Sequence, residues 1–150
     1  MRKATGITIL LALGLIVLGL TMAGCGSSTP GSSGIKGNWT ATLKNADGSI
    51  AYQFSATLSP GTGNNLNISN LQVVNSGQCL SSNEPSFGSF TPTNRTFEMA
   101  IAPPAIIAPD LGLQGVLSGS TISGTWTLSG GGAANCVGNG TFVMQPAMAG

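Results

Sequence analysis

From Trp39 to Met144 the apolar residues of this chain recur at every second position, in short runs broken by turn-forming residues. Trp39, Ala41 and Leu43 alternate with Thr40, Thr42 and Lys44, and Tyr52, Phe54, Ala56 and Leu58 alternate with Gln53, Ser55 and Thr57. The same period runs through Phe97, Met99 and Ile101, through Leu111, Leu113, Gly115 and Leu117, through Ile122, Gly124, Trp126 and Leu128, and through Phe142 and Met144. A period of two places one face of a strand against a core and the other in water, as antiparallel sheets require. Between Leu66 and Val74 the phase slips, because Leu66 and Ile68 are followed by Leu71 and Val73. A bulge near Ser69-Asn70 would return both pairs to the core. The stretch from Phe87 to Thr91 reads as a weak strand. Breakers fall where hairpins need them: Asp47-Gly48, Pro60-Gly61, Asn75-Ser76-Gly77, Pro92-Thr93-Asn94 and Gly130-Gly131-Gly132.

The pattern predicts an all-β domain, an antiparallel meander of about seven or eight strands preceded by an N-terminal signal helix. Short connections favour a closed barrel, which has no exposed edges. A two-sheet β-sandwich is the alternative, since a domain of this size with one cross-loop disulfide suits it equally.

The N-terminus has a different character. Arg2 and Lys3 precede an apolar run over residues 7–20, and small residues lead to Ala23-Gly24-Cys25. A basic start, an apolar stretch and small residues at a cut define a secretory signal, with an uncleaved transmembrane anchor as the alternative. Met22-Ala23-Gly24-Cys25 resembles the lipobox of bacterial lipoproteins, in which an apolar residue and two small ones precede the lipid-bearing cysteine. Met22 stands where that family usually has leucine. The resemblance covers residues 1–25. It implies that Cys25 receives a diacylglycerol on sulfur and becomes a new N-terminus acylated by a fatty acid such as palmitate. Several acyl chains give stable anchoring where one binds marginally. Gly26 follows the cysteine in place of Asp, which in that family favours the outer membrane. The expected organisation is therefore a signal peptide over 1–24, a lipidated cysteine and Gly/Ser-rich tether over 25–36, a β domain over 37–146 and a tail over 147–150. A Gly/Ser run of this kind is a flexible coil that holds a domain off a bilayer.

Lipidation of Cys25 would also resolve the odd count of three cysteines, leaving Cys79 and Cys136. An envelope compartment permits their disulfide. A redox or metal pair is the alternative, but the chain has no Cys-x-x-Cys and no histidine to complete a site.

Two further resemblances bear on the β domain. Gly37-Asn38-Trp39 is similar to the Gly-x-Trp that opens the first strand of lipocalins and other calycin barrels, although the last strand here carries no arginine. That likeness implies a barrel able to carry a small apolar ligand. The strand Ile122-Ser123-Gly124-Thr125-Trp126, followed by Cys136 and Gly140-Thr141-Phe142, resembles the ending of envelope lipoproteins, and implies a location but no activity.

Composition excludes several chemistries. Charged residues are 6% of the chain, and loss of Arg2 and Lys3 with the leader leaves three basic and four acidic residues. No basic patch exists to meet a phosphate backbone, so nucleic acid is not an expected partner. Without histidine, the triads of Ser and Cys hydrolases and His-ligated metals are absent. Asp47, Glu84, Glu98 and Asp110 read as solvated charges and not as a facing glycosidase pair. Asn38, Asn67, Asn94 and Asn139 each open an Asn-x-Ser/Thr triplet, which composition alone produces here. No catalytic residue, metal or cofactor is expected. The candidate ligand-lining residues are Trp39, Tyr52, Phe54, Trp126 and Phe142, which either line a cavity or pack together. Ile106 and Ile107, in the proline-stiffened stretch 102–109, are the candidate interaction loop. The sequence thus favours a non-catalytic envelope lipoprotein, its domain periplasmic or surface-exposed, that binds an envelope protein or other partner. A calycin-like carrier of a small apolar ligand and a structural or surface-coating protein are the alternatives.

Overall fold

Alternation of apolar and polar residues becomes eight antiparallel strands: β1 (Gly37–Asn45), β2 (Ile50–Pro60), β3 (Asn65–Asn75), β4 (Ser86–Thr91), β5 (Thr96–Ile101), β6 (Asp110–Ser118), β7 (Thr121–Ser129) and β8 (Gly138–Pro146). These come from a computed structural model that describes residues 32–75, 79–80, 82–102, 110–130 and 136–147. Each strand pairs with the next, and β8 returns to β1, so the sheet is a closed barrel and not a sandwich. One short 3-10 turn, Ser32–Ile35, precedes β1. The signal segment, Cys25 and the loop containing Ile106 and Ile107 lie outside the described residues.

Local chemistry explains the connections. At the β1–β2 turn the Asp47 carboxylate accepts hydrogen bonds from the backbone N–H of Ser49 at 2.9 Å and from its hydroxyl at 2.6 Å. Those bonds stabilise the charged form and hold the Asp47 carboxyl below its usual value of 3.8. In the two-residue β6–β7 hairpin, Gly119 takes the φ of +59° that such turns require. The expected β3 bulge is present: the β2–β3 register shifts between Ser55 and Thr57, and Asn70 adopts a φ of +52°. Leu66 and Leu71 are buried on either side of it, and Ile68 and Val73 pack against the core.

The weak strand is also visible. β4 pairs with β5 along its whole length but with β3 only through Asn65–Ser89 and Leu66–Gly88, so the β3–β4 seam splays. Part of the widening seam is filled from the β3–β4 connection, where the Ser82 hydroxyl accepts the Val73 N–H at 2.9 Å.

Eight strands enclose an interior just wide enough for side chains to fill. The inward residues form a single apolar cluster, and no polar or charged side chain among the described residues is buried. Ile35 plugs the end of the barrel where the described chain begins and finishes, and accepts the Trp39 indole N–H on its carbonyl at 2.8 Å. At the opposite end, the Cys79–Cys136 disulfide ties the β3–β4 connection to the β7–β8 connection, with a Cα separation of 5.4 Å.

Candidate functional site

The five candidate ligand-lining residues converge on the interior. Trp39, Phe54, Trp126 and Phe142 are buried, and Tyr52 is half-buried against the same cluster. Trp126 lies across the disulfide end of the barrel, over the inward glycines of β8, and donates its indole N–H to the Lys44 carbonyl on β1 at 2.9 Å. Tyr52 meets it edge-on with ring centroids 5.5 Å apart. Burial of the phenol raises the Tyr52 pKa above 10.0, because ionisation there loses hydration. Phe142 tilts against Phe97 at 6.3 Å, over the facing pair Gly115 and Gly124. The rings fill space by lying where neighbouring strands have no side chain.

Outside, the wall is uneven. A trough of about 540 Å³ crosses β4, β5, β6 and β7. Strand register builds it from two parallel rows. One row is polar, with Ser89 opposite Glu98, Glu98 opposite Gln114, and Gln114 opposite Thr125. The other runs from Phe87 over Ala100 and Gly112 to Thr127, so two small residues form a floor between an aromatic wall and a hydroxyl. The Ser89 hydroxyl lies 3.5 Å from the Glu98 carboxylate, the one charged group on the trough. A second depression, of about 400 Å³, follows the splayed β3–β4 seam and shares Phe87 and Gly88 with the trough.

Phe87 is 63% exposed, whereas six of the other seven aromatic residues are buried and Tyr52 is half-buried. Glu98, which reads from the sequence as a solvated charge, is exposed on the outer face of β5, but sequence reasoning did not single out Phe87. A signal was available: Phe87 and Phe90 are three apart, and in a strand one of them must face outward. Register with β5 decides it, pairing Phe90 with the inward Phe97.

Among the described residues, no three His, Cys, Asp or Glu side chains gather into a metal-binding group. No family model matches the chain, and neither the curated proteins nor the solved structures yield a match.

Proposed function

We propose that this chain is a lipid-anchored protein of the bacterial cell envelope whose barrel is a rigid, non-catalytic module for binding or interaction. The observation that carries the module reading is the filled interior. The rings that would line a carrier's cavity pack on one another, and both tryptophan N–H groups are spent on backbone carbonyls. An apolar cargo would have to displace that packing, so the outer wall is the better binding surface. The non-catalytic reading rests on the absence of histidine and on dispersed carboxylates: Asp47 holds its own turn, while Glu98 and Asp110 are exposed.

The anchor reading rests on residues 1–25. The barrel's direction suits it, because the 3-10 turn enters at one end and the disulfide-tied connections lie at the other. An anchor at Cys25 would leave the disulfide end farther from the bilayer, with the outer membrane as its expected location. The test is intact-mass analysis of the chain from a lipoprotein-processing bacterial host, with and without Cys25→Ser. The expected result is a chain beginning at Cys25 and carrying acyl mass, both features lost in the variant. An unmodified chain retaining residues 1–24 would overturn the anchor. A stoichiometric apolar molecule released from the purified protein on denaturation would overturn the filled-module reading in favour of a carrier.

A further inference from the structure

We infer that the trough across β4–β7 is a binding site for a neutral, β-linked oligosaccharide, a proposal that rests on the interaction-module reading and names its ligand class. Three independent features of the wall point there.

The first is Phe87. It is the one aromatic ring the fold leaves on the surface, and it stands at the end of a concave strip. An exposed ring there offers a flat apolar face that the barrel itself does not use.

The second is Gly112. Glycine weakens the middle of a strand and commonly marks a place where a ligand or another backbone approaches closely. The inward glycines are explained by the protein: a Cβ on Gly138 would come within 2.9 Å of the Trp126 ring, and one on Gly115 within 2.8 Å of the Phe142 ring. A Cβ on Gly112 would meet only Thr127, with its nearest atom at an ordinary 3.4 Å, and no left-handed φ excludes a side chain. Nothing in the barrel requires glycine at 112, and the missing side chain there keeps the trough floor low beside Ala100.

The third is the chemistry of the remaining wall. Ser89, Glu98, Gln114 and Thr125 present hydroxyl, carboxylate and amide groups in a line beside the ring and the floor. A purely apolar ligand would strip water from these groups without replacing their hydrogen bonds, which disfavours it. An anionic ligand would meet Glu98 and no cation on the trough. A pyranose satisfies both rows at once, since its C–H face stacks on an aromatic ring and its equatorial hydroxyls project sideways to donors and acceptors. From Phe87 to Thr127 the floor crosses three interstrand spacings, about 14 Å, which suits several sugars in an extended β-linked ribbon.

The experiment is isothermal titration of the full chain with two neutral β-1,4 ribbons, cellotetraose and tetra-N-acetylchitotetraose. The protein is held in a zwitterionic detergent so that no sugar headgroup competes. Saturable binding of at least one, with a dissociation constant on the order of 0.1–1 mM, is expected. Phe87→Ala and Gly112→Val should each weaken it at least tenfold while melting within a few degrees of the parent. Val143→Ala, exposed on β8 away from the trough, should bind unchanged. The inference is overturned if neither tetrasaccharide binds, or if both trough variants bind like the parent. It is also overturned if sugar binding is absent and Phe87 instead supports a dimer in sedimentation, which would assign the ring to a contact between copies. Intact mass on the same sample separates the two levels: acylated Cys25 on a folded chain that ignores sugars removes the glycan inference and leaves the anchored module standing.

Discussion

Gly140→Ala tests the interior most directly. A Cβ at that position would overlap the Lys44 carbonyl oxygen and come within 2.8 Å of the Trp126 indole nitrogen. Those are the two atoms of the hydrogen bond by which β7 reaches across β8 to β1. Relief requires β8 to move off β1 or Trp126 to leave its place. Overpacking of a filled core costs about 1–3 kcal/mol, the lost hydrogen bond about 1, and the disturbed Tyr52–Trp126 pair about 0.5–1.5. These terms share atoms and are not strictly additive, so the expected loss is about 3–4 kcal/mol. Against a total stability on the order of 5–15 kcal/mol, the variant should be markedly weakened. Gly112→Ala is the paired control, because its Cβ has room and an ordinary backbone. It should stabilise by about 0.4–1 kcal/mol by narrowing the unfolded ensemble. Denaturant unfolding of the oxidised barrel, followed by tryptophan fluorescence, measures both. A Gly140→Ala unfolding free energy within about 0.5 kcal/mol of the parent's would mean that β1, β8 and Trp126 are not so closely packed. A Gly112→Ala loss above about 1 kcal/mol would mean that the trough floor is not open.

Two further outcomes follow from the disulfide and the tyrosine. The Cys79–Cys136 bridge spans 57 residues of sequence, so replacing both cysteines by alanine should cost about 4 kcal/mol in the chain-entropy account; a change in unfolding free energy below about 1 kcal/mol would show that the unfolded chain is not restrained by it. Tyr52 is the single tyrosine, and its pKa is raised by burial, so absorbance at about 295 nm should report a titration midpoint above the free phenol's 10.0. Its contribution to stability is complete below the unfolded value and is lost as pH rises through the folded one. Alkaline unfolding should therefore be delayed in Tyr52→Phe, and a midpoint at or below 10.0 in the parent would contradict the burial.

Most of the architecture was legible because it follows from local parity. Wherever four or more residues alternate, as from Trp39 to Leu43 or from Ile122 to Leu128, inside and outside are fixed by the pleat, and the buried residues are the expected ones. The bulge at Ser69-Asn70 was legible for the same reason, since a break in parity needs one extra residue. Closure was not decided locally, because β1 must meet β8 across the whole domain, and a meander satisfies a sandwich equally well until that pairing is seen. The disulfide was legible from counting, although the role expected for the third cysteine lies outside the described residues.

What the sequence hid is what lies against each glycine. Gly112 stands between Leu111 and Leu113 and so faces outward by parity, whereas Gly140 is in phase with Phe142 and Met144 and faces inward, but parity does not say which atoms lie against either one. Their meanings diverge through partners far away in the chain. Gly140 sits beneath a tryptophan fourteen positions earlier and against a carbonyl on the first strand, whereas Gly112 faces outward between Ala100 and Thr127 with space above it. The same holds for the paired phenylalanines of β4, where parity says that one must face water and only the register with β5 says which. In a barrel whose interior is already occupied, the residues that local pattern leaves unexplained are concentrated on the outer wall. Phe87 and Gly112 break the rule for their strand faces in opposite directions, one too large for solvent and the other too small for a strand, and they do so on the same strip of surface. Packing explains neither, and a ligand with a flat face to lay on the ring and a body to rest on the floor explains both.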